Sequence, residues 1–116
     1  MCMIGKAVKV RHVKPSRPII AVRFWDRGFD GEVHSVFRYG VVWPKGKPMQ
    51  SPPPRLRDWP GDVLGFWAYK PKLVMRTQDF LGYTKGSTFR GKIKLWGKVV
   101  EHEDGYRAEF AQRVTR

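Results

Sequence analysis

Apolar residues in this chain recur at every second position in short runs, and scarcely anywhere at the three-and-four spacing of a helix face. That period belongs to strands, whose side chains point alternately to opposite faces. In Lys6–Val13 (KAVKVRHV), Val8 and Val10 fall on one face and Lys9 and Arg11 on the other. Ile19–Trp25 (IIAVRFW) is β-branched and aromatic, the composition a pleated, half-buried surface favours. The turn-rich DRGFDGE ends it. Glu32–Trp43 (EVHSVFRYGVVW) is long enough to bend at Gly40, and Val63–Tyr69 (VLGFWAY) suits a buried strand.

Between these runs lies Pro44–Gly61 (PKGKPMQSPPPRLRDWPG), which holds six of the nine prolines. Proline has no N–H and a fixed φ, so this segment is excluded from a sheet interior and is expected as an extended surface loop. Pro71–Tyr83 (PKLVMRTQDFLGY) fits a short helix or an irregular excursion equally well. The fold class expected is therefore mainly β, a small curved antiparallel sheet or barrel with a long proline-rich loop. The alternative is α+β with one short helix near 71–83. A length of 116 residues suits one domain, 1–116, with loop 44–61 inside it. The expected core includes Val8, Val10, Ile20, Val22, Phe24, Phe66, Leu95, Val99 and Phe110.

The terminal stretch FRGKIKLWGKVVEHEDGYRAEFAQ reads as a hairpin. Asp104-Gly105 matches a two-residue type I′ turn, which needs φ > 0 at both positions. Pairing outward from Glu103 and Tyr106 places Lys92, Lys94, Trp96, Lys98, Val100 and His102 on one face. Ile93, Leu95, Gly97 and Val99 fall on the other. In this register Arg113 lies opposite Trp96, Glu109 opposite Val100, Arg107 opposite His102, Val99 opposite Phe110 and Leu95 opposite Val114.

One face is then core and the other is lysine-rich around a single indole. The net charge is +13 and the pI about 10.4. An excess of that size favours acidic partners, nucleic acid first. A cationic groove with an aromatic platform suits a single strand, because the charges meet phosphates and the ring meets a base. Lys92, Lys94, Trp96, Lys98 and Arg113 are the candidate nucleic-acid-binding residues. The bland alternative is a solvated face, with Trp96 packed under lysine stems that reach to water. A second class of function is protein docking, most simply to a host protein, through the proline-rich loop and the tryptophans at its ends, Trp43 and Trp59. The competing reading of that loop is a structural wrap over the end of a barrel.

Catalytic signatures are missing: there is no phosphate-binding glycine loop, no GxSxG, no HExxH and no CxxC. RGKIKLW has a basic-aromatic look but not the aromatic spacing of an RNA-recognition motif. Glu101, His102, Glu103 and Asp104 invite a metal or acid–base reading. On a strand, however, His102 points away from Glu101 and Glu103, and partners such as Asp62, Asp79, Glu109 or His34 would be needed. Arg107 and Glu109 are expected in cross-strand charge pairs. The expectation is a non-enzyme with no metal and no cofactor. A single cysteine, Cys2, excludes an intrachain disulfide and a cysteine-based zinc site. MCMIGKAVKVRHV lacks a signal peptide's apolar run, and nothing approaches the roughly 20 apolar residues of a membrane span. A soluble, cytoplasmic protein is expected.

LWGKVVEHEDGYRAEFA (Leu95–Ala111) resembles the signature of a family of small uncharacterised proteins of actinobacteria and the phages that infect them. AVRFWDRGFDGEVHSVFRYGVVWPKGKPM (Ala21–Met49) and GFWAYKP (Gly65–Pro71) extend the resemblance in order and spacing. Trp96, Gly97, Glu101, His102, Gly105, Tyr106, Arg107, Ala108 and Glu109 match its pattern. Many relatives carry a Cys-x-Cys directly before the glycine of the third motif; here those positions are Asp62 and Leu64. A metal or redox role of those cysteines is therefore not available to this chain, and Pro71–Ser87 looks like an enlarged connection. The resemblance implies a phage or prophage origin and names no activity. Its residues read mostly as structural: Gly97 for a bulky cross-strand neighbour, Gly105 for the turn, Tyr106 and Ala108 for the buried side.

Overall fold

A computed structural model describes residues 4–27, 33–35, 42–44, 46–58, 61–71 and 88–114. Among them the chain is mainly β, without a helix. The strands are β1 (Ala7–Val13), β2 (Ile19–Arg27), β3 (Val33–Ser35), β4 (Met49–Gln50), β5 (Phe66–Tyr69), β6 (Thr88–His102) and β7 (Gly105–Arg113). The order is β1-β6-β2-β5-β7-β4, with β3 on β2, and β7 also pairs with β6. Strands β6, β2, β5 and β7 thus close a small antiparallel barrel, to which the other strands are added. The ambiguous segment 71–83 and the bend at Gly40 lie outside the described residues, Pro71 excepted.

The 15-residue β6 is the spine. β2 and β1 lie end to end along one of its edges, Ile19 opposite Leu95 and Val13 opposite Gly97. The five residues between them, Lys14–Pro18, leave the ladder, as two prolines without N–H groups require. β7 occupies the other edge. β4, from the proline-rich segment, adds only Met49 and Gln50 to the outer edge of β7.

A four-stranded barrel encloses little space. Ala21, Ala68, Ala108 and Ala111 line it and leave room for Trp25, Trp43, Ile93, Leu95 and Val99. Two expected core residues are corrected. Val8 is 54% exposed because it is the extra residue at a register shift between Ala7 and Lys9. Ile20 is 41% exposed because it pairs with Lys94 on the outer side. Val22 and Phe24 are buried as expected, but on that outer side, where Phe24 meets Tyr69 edge-on. Leu95 and Val99 are fully buried; Val10 is half-buried, and Phe66 is half-buried against the core cluster. Phe110 is corrected as well: half-buried, it pairs with the outward Trp96 and lies outside the core cluster.

The hairpin register also differs from the sequence reading. The pair nearest the tip is Glu101 with Tyr106, not Glu103 with Tyr106. The two strands part there, His102 pairing with Ala7 of β1 and Gly105 with Tyr69 of β5. Neither Asp104 nor Gly105 has a positive φ, so the type I′ turn is not formed. Gly105 serves a close approach instead, since a Cβ there would run into the Ala68 carbonyl oxygen and the Ile4 side chain. A second shift, between Trp96 and Val99, sets Trp96 opposite Phe110 and Ile93 opposite Arg113.

Candidate nucleic-acid interface

The half of the hairpin far from its tip has an open outer face. Alternation along β6 puts Lys92, Lys94 and Trp96 on it, opposite the buried Ile93 and Leu95. The ladders supply their neighbours: Ile20 and Gln112 flank Lys94, Phe110 faces Trp96, and His12 pairs with Lys98. The Trp96 and Phe110 rings stack with planes 4° apart and centroids 5.7 Å apart. Both are half-buried, and neither belongs to the barrel's core cluster.

Gly97 permits this pair. Its φ is +83°, and a Cβ there would lie 2.6 Å from Phe110 Cδ2 and 2.8 Å from Glu109 Oε1. The bulky neighbour expected beside Gly97 is thus Phe110, lying flat against the bare backbone. Glu109 accepts a hydrogen bond from the Lys98 backbone N–H at 3.1 Å, so it braces the irregularity instead of pairing across the strands.

Lys92 is exposed and Lys94 and Lys98 half-exposed. Among the described residues no carboxylate pairs with their ammonium groups. Three of the acids are engaged elsewhere. Asp58 accepts from the Ala7 N–H, Glu103 from the Lys6 N–H, and Glu101 from Lys70 at 2.9 Å and Arg11 at 3.4 Å. The hydrogen bond from Lys70 holds the Glu101 carboxyl below its ordinary range, against the opposing effect of burial.

Arg113 is corrected. It sits opposite Ile93, on the core side, donates to the Trp43 carbonyl at 3.2 Å, and its guanidinium carbon lies 5.8 Å from the Trp25 ring centroid. The sequence register placed it beside Trp96; the shift between Trp96 and Val99 carries it to the other face. Trp43 is corrected too. Only 2% exposed, it packs edge-on against Trp25 and Phe66. The Arg23 guanidinium lies between it and Trp67, 4.5 and 4.9 Å from the two ring centroids. Trp59 lies outside the described residues.

Near the tip the same alternation has another outcome. Val100, His102 and Arg107, outward on the hairpin, are buried; His102 meets Gly5, and Arg107 meets Arg55, Arg57, Asp62 and Leu64. Arg107, 2% exposed, donates to Asp62 Oδ2 at 2.8 Å. It also donates to the carbonyls of Arg55, Arg57, Asp62 and Leu64. Its Nε–H donates to His102 Nε2 at 2.9 Å. A guanidinium only donates, so His102 carries its proton on Nδ1 and gives it to the Gly5 carbonyl.

Burial pushes the His102 imidazole below its ordinary value, against the pull of the Gly5 carbonyl, and the Arg107 charge adds to the drop. Burial works the other way on Asp62, but hydrogen bonds from the Arg55 N–H, Arg107 and the Leu64 N–H outweigh it and hold that carboxyl at about 2. The sequence reading named Asp62 as a possible partner of His102, but Arg107 stands between the two. The cation that joins the base to the acid also holds loop carbonyls. Among the described residues no three His, Cys, Asp or Glu side chains converge as a metal site requires. The side chain of His34, and Asp79, lie outside the described residues.

Comparison of the chain with family models, with curated proteins and with solved structures gave no match. Among the described residues no helix is long and apolar enough to cross a membrane.

Proposed function

We propose that this protein is a small nucleic-acid-binding module that holds the phosphate backbone on the outer face of β6. The observation that carries the reading is a stacked aromatic pair outside the core, set in a row of lysines whose ammonium groups form no ion pair with a described carboxylate. The net charge of +13 supplies the long-range attraction, and Lys92, Lys94 and Lys98 the local contacts. The competing reading, docking of a host protein through the proline-rich loop, loses an anchor because Trp43 is spent on the core. Tied down by Arg107, that loop behaves as a wrap.

The test is a salt titration of binding to nucleic acid by the parent and by a variant carrying Lys92→Glu, Lys94→Glu and Lys98→Glu. The parent's affinity should fall linearly on a log–log plot. The variant should bind more weakly at low salt, with a slope reduced by about 0.7–0.9 for each phosphate it no longer neutralises. A folded variant that binds as tightly as the parent would show the lysines to be a solvated face and end the proposal.

A further inference from the structure

We infer, resting on the nucleic-acid reading above, that the interface selects single strands over duplex. In this arrangement Trp96, backed by Phe110, is the platform for an unpaired base, and Lys14–Pro18 is a preformed clamp on the backbone beside it.

Three observations meet at one place on β6. The first is the outward aromatic pair. A tryptophan stacked in parallel on a phenylalanine is held in one orientation, so little ordering remains when a base lies on it. In a duplex the base faces are already stacked on one another, and only an unpaired base has a face to offer.

The second is the lysine spacing. Lys92 and Lys94 lie two residues apart on β6, about 6.8 Å of strand, and Lys98 follows beyond Trp96 and the irregularity at Gly97. A row laid along one strand follows an extended single strand. It does not follow the helical path of phosphates around a duplex.

The third is the excursion. Val13 pairs with Gly97 and Ile19 with Leu95, so the five residues between them leave the ladder level with Trp96. Lys14 and Arg17 are exposed there. The loop is closed by a hydrogen bond from the Arg17 N–H to the Lys14 carbonyl at 3.0 Å, and Pro15 and Pro18 restrict its backbone. Two exposed cations are thus carried at the edge of β6, level with the aromatic pair, on a loop whose backbone is already restricted.

The test measures binding of the full chain, at one low salt concentration, to oligo-dT, oligo-rU and a duplex of the same length. Either single strand should bind more tightly than the duplex. Trp96→Leu should weaken single-strand binding roughly 5- to 150-fold and leave duplex binding unchanged, while Trp96→Phe retains most of the affinity. Lys14→Ala with Arg17→Ala lies in an exposed loop and serves as an independent probe. It should weaken single-strand binding and, in a salt titration, lower the slope by about 0.7 for each phosphate left without its cation. Equal affinity for single strand and duplex, or parent-like binding by both the Trp96→Leu and the loop variants, would overturn this inference. If the triple lysine variant still loses binding, the electrostatic reading survives without it. If that variant also binds like the parent, both fall.

Discussion

The two halves of the β6–β7 hairpin share the same alternation and both carry basic residues outward, yet their outer faces meet different fates. Near the tip, Val100, His102 and Arg107 are roofed over, and every strong polar group of the Arg107 constellation has a partner inside the protein. Farther from the tip, Lys94, Trp96 and Lys98 keep part of their surface open, and no described carboxylate forms an ion pair with the lysine ammonium groups. What meets the first half is Gly5, on His102, and the residues Arg55, Arg57, Asp62 and Leu64, joined by the Arg107 guanidinium. A basic residue on a strand is therefore structural or available according to what is folded over it.

Removing Arg107 should break this contrast with the largest effect. Arg107→Met leaves the buried Asp62 charge with only the more exposed Arg55 guanidinium, 3.7 Å away, and frees four loop carbonyls. A loss of about 3–5 kcal/mol is expected in chemical denaturation, as for other broken buried ion pairs. Combining it with Asp62→Asn should restore part of that loss. If Arg107→Met alone is neutral, the roofed half is held by something other than its ion pair.

Acid probes the same half. The Asp62 carboxyl falls from an ordinary 3.8 to about 2, a contribution of about 2 kcal/mol. Because the folded value is the lower one, that stability is complete above the unfolded value and is lost as pH drops through about 2. His102 is a base with a lowered folded value, so the unfolded chain takes up its proton first as pH falls below 6.5. Stability should therefore begin to decline below that point. His102→Gln keeps an acceptor for Arg107 and does not titrate, so in that variant the decline should start only in the carboxylate range. Denaturation midpoints across pH measure both steps, and identical profiles for parent and variant would refute the role of His102.

Gly97 marks the boundary between the halves. Gly97→Ala forces a side chain into a positive φ and against Phe110, and should cost about 1–3 kcal/mol while tilting the Trp96–Phe110 pair. The smallest change in stability belongs to the open half. The triple lysine variant should unfold within about 0.5 kcal/mol of the parent. A larger shift would mean that those lysines help to hold the barrel.

Period-two alternation made the strand at 7–13 and the long hairpin legible from the residues alone, and β-branched and aromatic composition the strands within Ile19–Trp25 and Val63–Tyr69, along with the exclusion of the proline-rich segment from a sheet interior. The inward set on β6 was legible as well, because Ile93, Leu95 and Val99 alternate with residues that dislike burial. On β2 the pattern could not decide, since IIAVRFW is apolar on both faces. The barrel takes Ala21 and Trp25 inward because a narrow interior needs small residues beside large ones.

The tip chemistry misled for a related reason. Asp104-Gly105 has the composition of a tight turn, but His102 and Gly105 are claimed by β1 and β5, and pairing energy across a closed barrel overrides a local turn preference. The fate of the charges was least legible. Composition, alternation and the excess of positive charge belong to the sequence itself, for they depend on neighbours two residues apart or on no neighbour at all. That Arg107 is buried with Asp62, that Arg113 turns to the core, and that Trp96 lies on Phe110 depend on a bulge and on chain segments tens of residues away. Such contacts are set by tertiary packing, because only the closed barrel brings those partners within reach.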